Sequence, residues 1–259
     1  MENGMRGTRD ASLCVTMKPI ITRAFATAVV LAPLACGSSE TSSTPQTTEA
    51  QIQAAQHGSS KEVKAAATEL DKATEVLGQM ANDIGKEQRD GAHCVMVVPN
   101  MGTGAFIVGG SKGGGVVSCR TASDWSAPAF VTLSGVNVGL QAGGQASDLV
   151  ILATTTDAPG KIFSKNFQFG AGASVAAGPI GAGTQASTSP KADFLTYAKT
   201  KGAFAGVNLG GVKVSEDEKP MRALYGSNGP VLVLAGRVAI PAEAKGFVDQ
   251  VRSSFPSIR

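Results

Sequence analysis

The sequence predicts an α+β domain in which one amphipathic helix precedes a strongly curved antiparallel β-sheet. Between Lys61 and Ile84, apolar residues recur at steps of three and four, the period of a helix with one apolar stripe. From Gly91 to Gly226, short runs rich in Val, Ile, Phe and Thr alternate with glycine-containing turns, as in antiparallel sheets. Glycines inside such runs mark bends or close backbone approach. Their number therefore favours a sheet curved as far as near closure, with short peripheral helices around it.

The helix is the best-defined element. Ser59–Glu62 has the pattern of a capping box, in which the serine hydroxyl satisfies a free backbone N–H. Gly85 is expected to end the helix in a left-handed conformation. The outward face carries both lysines and acids, a mixture that favours a solvated face over a core. A helix that lies on a membrane surface is the alternative.

Glycines divide the β-rich part into strands, and three short helices interrupt or follow it. We expect strands near residues 93–98, 103–109, 115–120, 129–133, 136–142, 148–154, 168–177, 180–187, 193–198, 204–209 and 231–240. One short helix is expected after Asp157 as its N-cap, a second after a capping box at Ser215–Glu218, and a third from Pro241. The apolar side chains that the last helix can turn to the core are Phe247, Val248, Val251 and Phe255.

Residues 1–35 are expected to be an export signal, with Met17 as an alternative start. The apolar run Ala24–Leu34 has about 11 residues, too few to span a bilayer, which needs about 20. Cys36 follows directly, and in bacterial lipoproteins a cysteine in this position becomes the acylated first residue. Because no Asp follows it, the sorting pattern indicates the outer membrane. The alternative is ordinary cleavage near Ala35, which leaves Cys36 a free thiol and the protein soluble in the periplasm.

Residues 36–57 are rich in Ser, Thr, Gln and Pro, a composition that predicts a flexible tether before a folded domain at 58–259. From Cys36 onward, 19 Lys and Arg stand against 18 Asp and Glu. This near-neutral balance argues against a general nucleic-acid binder, which must neutralise many phosphates. Cys94 and Cys119 lie in two β-like runs that can be neighbours. The sequence is compatible with either a disulfide between them or two buried, unpaired thiols.

The sequence offers little for catalysis, because the mature part contains only His57 and His93 as histidine bases. His93 and Cys94 are adjacent in a β-run and point to opposite faces, so they cannot pair, and neither has the companions of a zinc site. The run Gly109–Gly115 lacks the lysine position and the following helix of a nucleotide-binding phosphate loop. We expect a hairpin turn there. The alternative is that its amides and Lys112 contact a lipid headgroup phosphate.

Five segments of the β-rich part follow one another in a characteristic order. They are Val95–Pro99, Gly109–Gly115, Asp124–Ala129, Gly139–Gly144 and Ala223–Gly226. The series resembles the SYLF lipid-binding domain over roughly the last 200 residues. The resemblance implies a non-enzymatic domain that needs no cofactor and binds phospholipid. Within this pattern Trp125 is a structural marker rather than an interfacial anchor, and Tyr225 is a core residue.

The same resemblance points to cations near the start of the domain as lipid contacts. The matching residues are Lys61, Lys64, Lys72, Lys86 and Arg89, to which Lys112 is added. Between residues 61 and 90 these five cations face seven acids, so we expect a weak, mixed polar and apolar contact rather than tight phosphoinositide binding. Eukaryotic members also bind actin, which we set aside because an exported chain would not meet it. The alternative function is a structural or adaptor lipoprotein that contacts another envelope protein.

Overall fold

The folded part of the chain opens with the expected long helix, α1 (Ser60–Met80). A computed structural model describes residues 58–105, 109–137, 143–164, 167–171, 173–178, 192–200, 203–204 and 209–256. The capping box is formed: the Glu62 amide donates to Ser59 Oγ at 3.4 Å, and the Ser59 amide donates to Glu62 Oε2 at 2.9 Å. The buried stripe of the helix consists of Ala66, Leu70, Ala73, Val76, Leu77 and Met80.

The end of this helix differs from the prediction. A 3-10 turn at Ala81–Asp83 follows α1, and Ile84 then becomes extended and buried. Gly85 has a φ of −57°, so it is not a left-handed stop; it is the N-cap of the short helix α2 (Lys86–Asp90). The tightened turn and the burial of Ile84 redirect the chain, and no positive φ is needed.

The described strands form one sheet. They are β1 (Cys94–Ala105), β2 (Gly109–Cys119), β3 (Ala129–Asn137), β4 (Gly143–Ala153), β5 (Val175–Ala177), β6 (Phe194–Thr200), β7 (Ala203–Phe204) and β8 (Lys213–Glu216). The strand order is β5-β6-β4-β1-β2-β3-β8, and β7 pairs with the end of β6. All described pairs are antiparallel except β5 with β6. The curved α+β architecture predicted from the sequence is confirmed.

The first four strands are longer than predicted, β5 is shorter than the strand predicted at 168–177, and one predicted turn is wrong. Gly109–Gly115 is part of β2 rather than a hairpin turn. A Cβ at Gly115 would lie 2.4 Å from the Val97 carbonyl oxygen, and one at Gly113 would lie 2.9 Å from Met101 Sδ. These glycines therefore permit the close approach of β1, which carries a register shift between Val98 and Met101. The predicted strand at 180–187 lies outside the described residues.

The segment after β8 contains three further helices, α4 (Glu218–Tyr225), α5 (Pro230–Leu234) and α6 (Lys245–Ser254), while α3 (Ala158–Ile162) follows β4. The predicted strand at 231–240 is wrong. Gly229 and Pro230 start a helix, since proline at the first helical position loses no hydrogen bond, and Gly236 ends the turn at a φ of +70°. Ser215 likewise caps no helix: it lies in β8, and Asp217 is the N-cap of α4.

The described residues of 167–171 and 173–177 contact both ends of the sheet, since part of them forms the edge strand β5 and part bridges to β8. On one side the Phe169 amide donates to the Val212 carbonyl at 3.0 Å, and Gln168 bridges to Lys213 of β8. On the other side Val175–Ala177 forms β5 and pairs with β6. The rings of Phe167, Phe169 and Phe194 pack edge-to-face, with centroids 5.1, 5.2 and 5.5 Å apart. The curved sheet is thus joined across its opening by one short segment.

The C-terminal end of the chain packs into the core. Trp125 is 3% exposed, and its Nε1–H donates to the Phe255 carbonyl at 3.0 Å, so it is a core residue. Phe247, Val248, Val251 and Phe255 are buried, as the sequence predicts. Cys94 and Cys119 are register partners on β1 and β2, and a disulfide joins them with their Cα atoms 4.0 Å apart.

Candidate functional site

The six cations predicted as lipid contacts do not form one surface. Lys61, Lys64 and Lys72 are exposed along α1. Lys86 follows the other end of this helix, which at 21 residues is about 30 Å long. The structure therefore separates the first two lysines from Lys86 and Arg89 by most of the length of α1.

Lys86 and Arg89 are engaged within α2 and its surroundings. Lys86 Nζ contacts the carboxylate of Asp90 one turn away. Arg89 is half-buried, and its Nη1 donates to the Ser254 carbonyl at 3.4 Å. Its own carbonyl accepts from Arg120 Nη2 at 3.3 Å. Arg89 thus contributes to the packing of α2 on the end of α6, and its guanidinium is engaged there rather than fully exposed.

Lys112 lies on β2 and has a cationic neighbour that sequence reasoning missed. Lys112 is the register partner of Ser134 on β3, and Ser134 is the register partner of Lys213 on β8. Residues directly opposite each other in a sheet share a face. Lys112 and Lys213, both exposed, therefore flank Ser134. The four-residue strand around Lys213 carries too little pattern for this pairing to be predicted.

One carboxyl lies between α1 and the sheet. A Cβ at Gly114 would be 3.0 Å from Glu69 Oε1, so the carboxyl group lies directly over β2. This oxygen is buried and has no hydrogen-bond partner within the described part of the chain. Burial, with repulsion from Asp217, raises the pKa of Glu69 to about 7, while Lys72 acts in the opposite direction. Lys112 and Gly114 lie two residues apart on β2 and therefore share a face of the sheet. Lys112 is thus on the face that α1 covers.

A groove with a volume of about 710 Å³ lies at the end of α4. Residues 222–228 form one wall and residues 238–241 form the other. Its apolar lining consists of Leu224, Tyr225, Val238, Ala239, Ile240 and Pro241, and its polar lining includes Arg222, Ser227 and Asn228. The hydroxyl of buried Tyr225 donates to the Pro128 carbonyl at 2.6 Å, which fixes this wall to the core.

The rim of the groove carries one cation and is followed by exposed apolar residues. Arg222 Nη2 lies 3.6 Å from Glu218 Oε2, and both side chains are more than two-thirds exposed. Val231 and Leu232 on α5 are 50% and 51% exposed, and they are the exposed large hydrophobic residues of the described ranges. They come three and four residues after Asn228, which lines the groove. Buried residues of the same helix, such as Val233, hold it to the core.

Where the structure describes them, the residues weighed for catalysis do not assemble into a reaction centre. Cys94 is in a disulfide, and the His93 amide donates to the Ala153 carbonyl at 2.7 Å in an ordinary sheet bond. His57 lies outside the described residues. Across the described ranges, no three His, Cys, Asp or Glu side chains gather to hold a metal ion. None of the helices in these ranges has the length and apolar character needed to cross a bilayer.

Comparisons with known proteins place a family match over the second half of the sheet and the C-terminal helices. Residues 134–254 match the family Ysc84, described as Las17-binding protein actin regulator. The match supports a Ysc84-type domain, the same family that the SYLF resemblance indicates. This range includes β8, both walls of the groove and the exposed pair on α5.

Relatives from fungi and animals are similar over a comparable length. The chain is 36% identical over 157 residues to "SH3 domain-containing protein PJ696.02" of Schizosaccharomyces pombe, covering 58% of this chain and 36% of the relative. It is 34% identical over 144 residues to "LAS seventeen-binding protein 3" of Saccharomyces cerevisiae, covering 52% and 31%. It is 32% identical over 154 residues to "SH3 domain-containing YSC84-like protein 1" of Mus musculus, covering 57% and 45%. The chain thus spans less than half the length of these curated relatives.

Proposed function

We propose that the Ysc84-type domain of this chain is a non-enzymatic module that binds phospholipid at a membrane surface. The observation that carries the proposal is the exposed pair Val231 and Leu232, presented on a short helix that is anchored to the core. Half-exposed aliphatic side chains at a fixed position can enter the interfacial region of a bilayer, where each buried apolar side chain contributes about 1 kcal/mol or more. The comparisons support a Ysc84-type domain, and the lipid is our inference.

Cations on the same domain give this contact a modest preference for anionic membranes. Lys61 and Lys64 are exposed on α1, and Lys112 lies with Lys213 on the sheet. Each basic residue near an anionic surface contributes up to about 1 kcal/mol, and salt screens this attraction. Because the domain as a whole is near neutral, the apolar contact has to provide a large part of the affinity.

A second membrane attachment is proposed at Cys36, which lies outside the described residues. Acylation there would hold the protein at an envelope membrane, because more than one acyl chain gives stable anchoring. Substitution of Cys36 by Ala should release the protein from the membrane fraction into the soluble periplasmic fraction. Unchanged membrane retention of this variant would contradict the anchor. A soluble wild type would support the alternative of simple signal cleavage.

The lipid-binding proposal is tested by co-sedimentation of the full chain carrying Cys36→Ala with neutral and anionic vesicles at two salt concentrations. We expect binding that prefers anionic vesicles and weakens with salt. The double variant Val231→Ser, Leu232→Ser should bind about tenfold more weakly, from the loss of about 1.4 kcal/mol of apolar contact. Val63→Ser, a partly buried residue on α1 away from α5, serves as the control for nonspecific loss of stability. Binding to neither vesicle type would refute the proposal.

A second candidate function is an adaptor that contacts another protein. The observation in its favour is that relatives are named for binding another protein, as in "LAS seventeen-binding protein 3". The same exposed pair on α5 would then form the centre of a protein contact. A chain that binds no vesicle, and yet loses a protein partner found by cross-linking when Val231 and Leu232 are replaced, would favour this function over lipid binding.

A further inference from the structure

We infer that the groove between residues 222–228 and 238–241 is covered by the chain's own residues 49–57, with the side chain of Ile52 inside it. This segment directly precedes the described part of the chain. The inference goes beyond the proposed function and does not depend on lipid binding. It assigns the groove, with its volume of about 710 Å³, an occupant from the same chain rather than a separate ligand.

The first described residue fixes where this segment ends. The Gly58 amide donates to the Ala223 carbonyl at 3.3 Å. Ala223 is in the last turn of α4, where carbonyl groups have no partner within the helix, so this bond holds Gly58 at the C-terminal end of α4. A Cβ at Gly58 would lie 2.8 Å from the Ala223 Cα, so the two backbones are in close contact. Arg222 and Leu224, on either side of Ala223, both line the groove.

The start of α1 lies beside the same wall of the groove. A Cβ at Gly58 would lie 3.0 Å from Glu62 Oε2. The amide and the hydroxyl of Ser59 lower the pKa of Glu62, and the nearby charge of Arg222 acts in the same direction. Gly58 is thus between the start of α1 and the groove wall that carries Arg222. Because consecutive Cα atoms are about 3.8 Å apart, the segment before Gly58 starts within reach of the groove.

The length and composition of residues 49–57 suit the groove. An extended chain spans about 3.3 Å per residue, so this segment can reach up to about 30 Å from Gly58. Between residues 37 and 57, Ile52 is the single large aliphatic side chain, and it lies six residues before Gly58. The aliphatic lining of the groove offers this side chain a place away from water, and such burial is favourable.

The charges of the segment and the groove are complementary. Between residues 37 and 57 the sequence has two acids, Glu40 and Glu49, and neither Lys nor Arg. The charged residue among those that line the groove is Arg222. Its partner Glu218 is exposed and 3.6 Å away, and exposed pairs of this kind contribute little, so Glu49 can compete for the guanidinium. Because a short linker gives an effective concentration of about 1 mM or more, a weak contact is enough to keep the groove covered.

The test is disulfide trapping in the full chain carrying Cys14→Ser and Cys36→Ala. The native disulfide stays in place, because both of its cysteines are buried. Ile52→Cys is combined with Ser227→Cys on the exposed part of the groove wall, and mass spectrometry follows the products of mild oxidation. We expect an internal disulfide between these two positions, formed at a rate that does not depend on protein concentration.

The matched control pairs Ile52→Cys with Lys64→Cys. Lys64 is exposed on α1, six residues after Gly58 and therefore only about 9 Å along the helix. A segment that has no preferred contact reaches Lys64 and Ser227 with similar ease. A segment that occupies the groove should form the disulfide with Ser227→Cys at least about tenfold faster than with Lys64→Cys. Equal rates for the two pairs would overturn the inference.

A variant that fills the groove tests the site itself. Ala239→Trp adds a large side chain to the lining and should lower trapping at Ser227 to the rate of the Lys64 control. Ala65→Trp adds the same side chain on the exposed side of α1 and should leave trapping unchanged. The circular dichroism spectrum and Tm verify that every variant is folded. Undiminished trapping in folded Ala239→Trp would overturn the inference. A disulfide-linked dimer in place of the internal disulfide would also overturn it, because the groove would then take the segment of a second copy.

Discussion

Glu69 gives the fold a built-in dependence on pH. Its carboxyl lies over Gly114 between α1 and β2, with one buried oxygen that has no hydrogen-bond partner among the described residues. Burial, with Asp217 nearby, raises its pKa from an ordinary 4.5 to about 7. The unfolded chain releases this proton near pH 4.5, and the native chain keeps it until about pH 7. The stabilising contribution is therefore complete at low pH and is lost as the pH rises through this window.

The size of the effect follows from the pKa values. Each tenfold change in proton affinity corresponds to about 1.4 kcal/mol, so the full linkage amounts to about 3.4 kcal/mol. The carboxyl is partly open to solvent, which reduces the expected loss to about 2 kcal/mol between pH 4.5 and 8. Glu69→Gln cannot ionise. The free energy of unfolding of this variant should therefore not fall between pH 4.5 and 8 for this reason. At pH 8 it should exceed the free energy of unfolding of the wild type by about 2 kcal/mol.

Urea unfolding from pH 4.5 to 8.5 measures this difference through the fluorescence of buried Trp125, the single tryptophan of the chain. Glu75→Gln, an exposed residue of the same helix, is the matched control and should keep the pH dependence of the wild type. Titration of all other groups cancels when wild type and Glu69→Gln are compared at each pH. If the two curves stay parallel across the whole range, the pKa of Glu69 is the same in the native and unfolded chains and the reasoning fails.

Four further predictions concern stability. Replacing Cys94 and Cys119 by Ser should lower the free energy of unfolding, measured in urea, by about 3.5 kcal/mol. The reason is that the disulfide no longer closes a loop of 25 residues in the unfolded chain. A change below about 1 kcal/mol would contradict this prediction. Tyr225→Phe should cost about 1 kcal/mol in the same assay, since a buried carbonyl loses its donor, and an unchanged midpoint would disagree. Gly178→Ala should cost about 1–3 kcal/mol, because its Cβ would lie 2.2 Å from the ring of a buried tyrosine in β6. Gly246→Ala in α6, where nothing lies within 4 Å, should instead raise Tm, as helix propensity requires.

The elements that local pattern determines were predictable from the sequence. The apolar stripe and capping box of α1 depend on residues three and four positions apart, and both are present in the structure. The local sequence predicts a turn for the glycine run of β2, because the role of a glycine depends on neighbours that are distant along the chain. Here the decisive neighbours are Val97 and Met101 on β1, which no local pattern reveals.

The site was predictable only in part, for the same physical reason. Exposed lysines on α1 follow from helical periodicity, whereas the Lys112 and Lys213 pair depends on the register of three strands. The alternation of valine and leucine after Pro230 resembles a strand, and only the Gly229–Pro230 start makes it helical. The groove is not predictable for the same reason, because its second wall begins at Val238, inside the run for which the sequence predicts a strand.

The segment of residues 167–177, which spans the opening of the sheet, also bears on the self-association of this protein. Unpaired backbone groups along an edge strand are a template for aggregation. In the described part of the chain, Val175–Ala177 pairs with β6 at one end of the sheet and Gln168 bridges to Lys213 at the other, so one segment reaches both ends. Its detachment would leave backbone groups of β6 and of Lys213 without these partners at the same time. Resistance of the folded protein to self-association is therefore expected to depend on the three packed phenylalanine rings that hold this segment in place.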